Sequence, residues 1–203
     1  MNVSFRVLLI AGILVSTVLG CLYLIQEPLP SRIFSFLSIN RPIPAEVLMV
    51  EGWLTNRMFK EAAAEYVRGN YSYCLVSGRI YSSLSPAHVF MRHGIDSGAV
   101  KFTDTVAVRG HNTYHTALAA RQWLQLHDPG VSTINVFTAG PHARKTWTIV
   151  KRVLGSGYSV GVIASSVNPE DTGLWWESKQ GARAMIKYGV GYLYALLWPF
   201  EKE

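Results

Sequence analysis

The sequence predicts an α/β fold, a Rossmann-like three-layer sandwich with a mostly parallel sheet, preceded by one N-terminal transmembrane helix. One observation is an uncharged apolar stretch at residues 7–25. A second is that short apolar runs alternate with longer amphipathic ones after Pro44, which is typical of a parallel sheet covered on both faces. The third is length, because 203 residues accommodate one domain with a sizeable core and an appendage.

The apolar stretch at residues 7–25 is predicted to anchor the protein in a membrane. A helix of this length crosses the roughly 30 Å hydrocarbon core of a bilayer. A cleavable signal peptide has a shorter apolar core and a small-residue cleavage site, neither of which occurs here. The alternative is a lipoprotein anchored at Cys21, since Gly20 and Cys21 resemble a lipoprotein processing box. Apolar residues continue after Cys21, which favours the transmembrane helix.

The predicted domain organisation is an N-terminal membrane anchor at residues 1–26, a proline-containing linker at 27–44 and an α/β domain at 45–203. A short tail before a single early span commonly stays in the cytoplasm, so we expect the α/β domain on the extracytoplasmic or periplasmic side of the cytoplasmic (inner) membrane. Basic residues flank the span almost equally on its two sides and do not fix the orientation by themselves.

Strands and helices are predicted to alternate from residue 46 onward. Apolar runs predict strands at residues 46–53, 72–78, 100–105, 133–140 and 159–165. Thr55 is predicted to cap a helix over residues 56–70, which is rich in strong helix formers. Further helices are predicted at residues 86–93, where Gly94 ends the helix, and at 112–127, 142–155 and 175–198.

Composition restricts the partners. The formal net charge of +6 and the pI near 9.4 favour anionic partners such as phosphates or acidic lipid surfaces. No nucleic-acid partner is predicted, because the basic residues are scattered and no basic run interleaves with aromatic residues. The two cysteines are too few for a Cys-rich zinc site, and Cys21 in the apolar segment and Cys74 in a strand are poorly placed for a mutual disulfide.

Candidate site residues follow the first two strands, since ligands of parallel sheets bind beyond the carboxyl ends of the strands. Glu51 and Gly52 follow the first strand, where a carboxylate can act as a general base. The alternative for Glu51 is a helix cap or a salt bridge to Arg79. Ser77, Gly78 and Arg79 follow the second strand, where small residues let the backbone approach a phosphate and a guanidinium can bind it.

A third group of candidates opens the helix predicted at residues 112–127. Asn112 or Thr113 can cap this helix, and His111 lies close enough to its start to contact an anion. His111 and His115 have the spacing of a zinc-protease motif. Asn112 stands where that motif requires glutamate, so no metal site is predicted.

A fourth group lies after the fourth strand, where the small residues Thr138 and Gly140 precede His142, Arg144 and Lys145. Cations at a helix N terminus oppose the helix dipole, and such departures from propensity tend to occur at functional sites. Residues three apart share a helix face, so His142 and Lys145 are expected to point together while Arg144 diverges. The alternative is a helix that simply begins with solvated charges.

The C-terminal apolar run at residues 188–198 is too short to span a bilayer. Such a run is more often a core helix. The alternative is a helix that rests on a membrane surface, helped by its tyrosines and its tryptophan.

Five segments in order resemble the YdcF-like domain family (domain of unknown function 218): VEGW, YCLVSGR, HNTYHTA, FTAGPHARKTW followed by VLG, and WWESKQGARAMIKYGVGYLYALLW. The resemblance covers residues 45–198 and includes membrane-anchored members of the SanA/ElyC type. It implies a Rossmann-like fold outside the cytoplasmic membrane and a role in envelope integrity or cell-wall polymer metabolism, around lipid-linked precursors. The family's Asn-Thr pair corresponds to Asn112 and Thr113, and its basic helix start to His142 and Arg144.

The sequence departs from this family in two loops. EGW stands where the family's first loop is often glycine-rich, and Arg79 replaces the last glycine of a Ser-Gly-Gly turn. An adenosine-type cofactor therefore does not carry over from glycine-rich members, and the cofactor is unknown.

These observations predict a membrane-anchored bacterial envelope protein that acts in cell-wall biogenesis or barrier integrity and binds or processes a phosphorylated, lipid-linked glycan-type ligand. The alternatives are a non-catalytic binding or regulatory factor and a nucleotide-binding Rossmann-like protein. Glu51 and His142 are the catalytic candidates. The ligand-binding candidates are Gly52, Ser77, Gly78, Arg79, His111, Asn112, Thr113, Thr138, Gly140, Arg144 and Lys145.

Overall fold

The computed structural model describes residues 3–26, 29–103, 112–166 and 175–197. The chain divides into two compact units, Met1–Ser35 and Phe36–Glu203. The first unit contains helix α1 (Val3–Gln26), which includes the predicted anchor, and most of helix α2 (Leu29–Leu37). Within the described ranges, none of the helices combines the length and the apolarity that crossing a bilayer requires.

The second unit is built on a parallel five-stranded sheet, which confirms the predicted α/β class and is consistent with a Rossmann-like arrangement. Its strands lie in the order β3-β2-β1-β4-β5. From β1 the chain runs outward to β2 and β3 and then returns to place β4 on the other side of β1. The strand bounds are β1 (Val47–Glu51), β2 (Tyr73–Ser77), β3 (Val100–Phe102), β4 (Thr133–Ala139) and β5 (Ser159–Ser165). Residues 104–105, the predicted end of the third strand, lie outside the described residues.

The predicted helices of this unit are present: α3 (Asn56–Gly69), α4 (Pro86–Met91), α5 (Asn112–His127), α6 (Ala143–Leu154) and α7 (Lys179–Leu197). The helix predicted at residues 175–198 begins only at Lys179, because Trp175–Glu177 form a separate 3-10 turn, and residue 198 lies outside the described residues. Thr55 caps α3 as predicted, because its hydroxyl accepts a hydrogen bond from the Met58 amide at 3.4 Å. The sequence placed His142 in α6, but His142 ends a separate 3-10 turn, Gly140–His142. Short 3-10 turns are frequent at helix N termini, and Pro141 occupies the start of this one.

Alternation along the buried strands divides the core between the two faces of the sheet. Leu48 and Val50 pack with Phe59 of α3 and with α4. Val47 and Met49 point to the opposite face, where they pack with α5, α6 and one residue of α7. Helices therefore cover both faces, which explains why the strands read as nearly continuous apolar runs.

The segment before β1 is part of the α/β unit from Phe36 onward. The backbone of Arg41 forms two hydrogen bonds with Val162 on the outer edge of β5, at 2.8 and 3.0 Å. The Asn135 side chain adds bonds to both the amide and the carbonyl of Ile43. This pairing covers an edge that the parallel strands leave open, and the predicted linker at 27–44 therefore overlaps the compact unit.

Candidate functional site

Glu51 lies at the carboxyl end of β1, beside the end of β4, where the strand order reverses. Parallel sheets bind ligands at this position. The side chain is 1% exposed. The Thr138 hydroxyl donates a short hydrogen bond to Oε2, and the Thr146 hydroxyl donates a second one at 3.3 Å. Glu51 is thus held by two threonines rather than by Arg79 or a helix cap.

The other carboxyl oxygen, Oε1, has no hydrogen-bond partner within the described part of the chain. Burial raises the pKa of Glu51 above its ordinary value. The Thr138 hydrogen bond opposes this shift, as do the nearby Trp53 side chain and the positive charge of Lys145. Glu51 is therefore a buried acid whose Oε2 accepts two hydrogen bonds while Oε1 accepts none from the described part of the chain.

A cavity of about 380 Å³ opens at this end of the sheet. Its lining combines two lysines, three aromatic rings, a histidine and a threonine, and none of its described lining residues is acidic. They are Trp53, Tyr81, Thr113, His142, Lys145, Lys187 and Tyr188. The sequence singled out Thr113, His142 and Lys145 from this set. Glu51 lies beneath the lining and is not part of it.

His142 stands at the centre of the aromatic lining. Its ring makes edge-to-face contacts with Trp53 and Tyr188, with centroids 5.2 and 5.8 Å apart. Its Nε2 lies 3.3 Å from the Thr113 hydroxyl. Enclosure by these side chains lowers the pKa of His142 to about 3, and the charges of Lys145 and Lys187 act in the same direction. His142 is therefore neutral near pH 7 and offers a hydrogen bond rather than a positive charge.

Lys145 reaches the cavity from the first turn of α6. Burial lowers its pKa, Glu51 opposes that shift by attraction, and Lys187 adds to it by repulsion. Gly191 of α7 leaves room for the lysine stem, because a Cβ at Gly191 would lie 3.3 Å from the Lys145 Cδ atom. Lys145 therefore packs against Gly191 of α7 and feels the charges of both Glu51 and Lys187.

Arg144 points elsewhere. Its Nε donates a short hydrogen bond to the Phe36 carbonyl, and its guanidinium carbon lies 3.8 Å from the centre of the Phe36 ring. Tyr192 of α7 flanks the same guanidinium at 6.0 Å. Arg144 thus joins the segment before β1 to α6 and α7, and it does not line the cavity. His142 and Lys145 share one side of the chain, in agreement with their spacing.

The end of β2 is a packed junction. The Ser77 hydroxyl donates to the Thr116 carbonyl at 2.7 Å and contacts the Thr103 hydroxyl at 3.0 Å. A Cβ at Gly52 would lie 2.6 Å from the Gly78 carbonyl oxygen, and a Cβ at Gly78 would lie 2.6 Å from the Thr116 hydroxyl. Gly78 also has φ +88°, which favours glycine. These residues let β1, β2 and α5 approach closely.

The remaining candidates have different surroundings. Arg79 is exposed and lies over the ring of Tyr81, 5.3 Å from its centre, at the edge of the cavity. Gly140 is buried at the start of the 3-10 turn. His111 lies outside the described residues, and only the backbone of Asn112 is described, as the first residue of α5. Among the described side chains, no group of three or more His, Cys, Asp or Glu residues could hold a metal ion.

The sequence did not select four of the lining residues: Trp53, Tyr81, Lys187 and Tyr188. Trp53 follows Glu51 in the strand-end loop, so position alone could have found it. Lys187 and Tyr188 belong to α7, far along the chain from β4, and no local pattern connects them with the site. The one signal in α7 is its charge, since it carries three basic residues and no acidic one.

No protein-family model matches the chain, and no curated protein matches it. The resemblance to the YdcF-like family therefore stays a prediction from the motifs.

Proposed function

We propose that this protein is a YdcF-like, membrane-attached protein of the bacterial envelope that binds a phosphorylated, lipid-linked glycan-type ligand during cell-wall biogenesis. The observation that carries the proposal is the convergence of Lys145 and Lys187 on an aromatic-lined cavity without an acidic lining residue in the described part. The cavity also lies where the strand order of a parallel sheet reverses.

Lys145 and Lys187 are assigned to the phosphate groups. Burial lowers the pKa of Lys145, and repulsion by the Lys187 ammonium group adds to that shift. A bound phosphate or pyrophosphate removes that repulsion and forms charge-assisted hydrogen bonds with both groups. The neutral His142 and the Thr113 hydroxyl supply further polar contacts without adding charge.

Trp53, Tyr81 and Tyr188 are assigned to the remainder of the ligand. Aromatic side chains combine a large apolar surface with a polar edge, so they accept a sugar ring or the first part of a prenyl chain. A lipid-linked sugar phosphate has both parts next to its phosphates. A free inorganic anion would leave these rings unused.

Glu51 is assigned to the positioning of Lys145. It does not line the cavity, and its attraction for Lys145 opposes the lowering of the lysine's pKa by burial. Proton transfer by Glu51 would require a ligand atom to reach the unpaired Oε1 atom. Binding therefore does not depend on proton transfer by Glu51.

Attachment to the cytoplasmic membrane is supported by the uncharged stretch at residues 7–25, which is helical within α1. The expected position of the α/β domain is the outer side of that membrane.

Calorimetric titration of the detergent-solubilised full chain tests the ligand class. The probes are geranyl pyrophosphate, N-acetylglucosamine 1-phosphate, inorganic pyrophosphate and ADP. Geranyl pyrophosphate is expected to bind most tightly, and Lys145→Ala or Lys187→Ala should each weaken it about tenfold or more. Lys151→Ala is the matched control, because Lys151 is an exposed lysine of the same helix. Tighter binding of ADP would favour the nucleotide-binding alternative, and absence of binding by all four probes would overturn the proposal.

Mass spectrometry of lipid-linked intermediates separates an enzyme from a non-catalytic factor. Cells that lack the protein are compared with cells that carry His142→Gln or Glu51→Gln at normal protein level. Accumulation of the same intermediate in deletion and variant cells supports turnover. Normal lipid profiles in both variants, with pyrophosphate binding intact, support the binding or regulatory factor.

A further inference from the structure

Helix α7 carries an apolar stripe that the described part of the chain leaves uncovered. Four large residues on one face are mostly exposed: Ile186 (66%), Val190 (59%), Leu193 (57%) and Leu197 (83%). Their spacing of four, three and four residues places them in line along the helix. The opposite side of α7 is the packed one, with Gly181, Met185 and Ala195 buried.

Basic residues accompany this stripe. Lys179, Arg183 and Lys187 are exposed, occur at intervals of four, and lie on or beside the apolar face. The helix sequence KQGARAMIKYGVGYLYALL contains neither aspartate nor glutamate. An exposed apolar stripe bordered by positive charge is the composition of a helix that lies in a membrane interface.

We propose that α7 docks onto an anionic lipid surface, with the stripe in the boundary between headgroups and acyl chains and the basic residues on lipid phosphates. Transfer of the four apolar side chains from water supplies the hydrophobic part of this binding. The anionic headgroups complement Lys179, Arg183 and Lys187, each contributing through attraction to the negative surface.

A second copy of this chain fits the same face less well. A two-fold contact through α7 would use the same patch on both copies and bring two sets of basic residues together without an acid on either helix. Charge complementarity therefore selects the lipid surface over self-association.

Docking has a consequence for the cavity, because Lys187 and Tyr188 of the same helix line it. The cavity would then lie at the level of the headgroups, next to any lipid-linked phosphate. Docking of α7 does not require the proposed ligand, and it is tested by the lipid contacts of α7 alone.

Site-directed fluorescence on the full chain tests the contact. An environment-sensitive fluorophore is attached at Val190→Cys in a Cys21→Ser background. The native Cys74 is buried, and burial raises the pKa of its thiol, so it reacts slowly. The matched control is a label at Leu126→Cys, since Leu126 is 78% exposed on α5. In vesicles of phosphatidylglycerol and phosphatidylcholine, a shallow lipid-borne quencher should quench the label at 190 several-fold more than the label at 126.

The basic residues are tested by charge reversal. Arg183→Glu, high salt or vesicles of phosphatidylcholine alone should each reduce quenching at 190, whereas Lys60→Glu, an exposed lysine of α3, should not. Equal quenching at 190 and 126 in anionic vesicles would overturn the proposal. Concentration-dependent burial of the 190 label in detergent without lipid would overturn it as well, by showing that a second copy covers the stripe.

Discussion

The ends of β2 and β4 lie at the same edge of the same sheet, and both carry small residues followed by positive charge. They nevertheless differ in what the small residues do. At β2, Gly78 and Ser77 pack against Thr116 and do not face a ligand site, and Arg79 is exposed. At β4, the basic side chain of Lys145 packs against Gly191 of α7 and is attracted by the buried Glu51 carboxylate. A turn of small residues followed by a cation is therefore not enough to predict an anion site from sequence. A second element, distant along the chain, must also enclose the cation.

The largest expected effect concerns the packed junction at β2. Gly78→Ala should lower the free energy of unfolding by about 2–4 kcal/mol, since it combines a positive φ with a Cβ 2.6 Å from the Thr116 hydroxyl. Gly94→Ala is the control, because Gly94 has φ +77° but open space around it. It should cost only about 1–2 kcal/mol of backbone strain. Equal losses in urea-induced unfolding would show that the close contact with α5 is unimportant.

The next prediction compares the cations at the two strand ends. Lys145→Gln should weaken the binding of inorganic pyrophosphate about 10- to 50-fold, because it removes an enclosed charge. Arg79→Gln should weaken it less than about threefold, since an exposed charge is screened by solvent. Calorimetry on the two variants measures the difference, and a reversed order would place the anion at the end of β2 instead.

The third prediction concerns the pH dependence of stability at the end of β4. The folded pKa of His142 is about 3, below its ordinary value of 6.5, so the folded state binds the proton less tightly than the unfolded state. The resulting stability is present above pH 6.5 and is lost as the pH falls toward 3. Between about pH 7 and pH 5 the free energy of unfolding should fall by about 1–2 kcal/mol less in His142→Gln than in the wild type. His88→Gln, at an exposed histidine of α4, is the control variant.

The smallest expected effect is that of Glu51→Gln on binding. Glu51→Gln removes the attraction that raises the pKa of Lys145 against the effect of burial, so the pH at which pyrophosphate affinity begins to fall should move downward. At neutral pH the loss should be about threefold. A change in affinity without any shift of this pH would show that Glu51 acts by packing rather than by charge.

The stability of Glu51→Gln should depend on pH in the opposite direction to that of His142→Gln, each relative to the wild type. The folded pKa of Glu51 is raised, so its contribution to stability is present at acidic pH and is lost as the pH rises through the folded pKa. Relative to the wild type, Glu51→Gln should therefore become more stable as the pH rises above the ordinary carboxyl range. A constant difference in the free energy of unfolding would contradict the raised pKa.

Much of the fold could be predicted because its signals are local. The predicted bounds of α5 and β5 match the structure, and Thr55 caps α3 as expected. Propensity, apolar periodicity and hydrogen-bonding side chains act over a few residues, so the sequence carries them directly. The predicted linker was less informative, since its proline content did not reveal the pairing of Arg41 with β5.

The sequence by itself therefore determined the strands, the helices and the edge of the sheet at which Glu51, His142 and Lys145 lie. Only the tertiary structure decided which charges meet there. It turned Arg144 onto Phe36 and brought Lys187, Tyr188 and Gly191 of α7 to the end of β4. It also made His142 neutral, because desolvation depends on the elements packed around a side chain, and the order of residues along the chain does not record that enclosure.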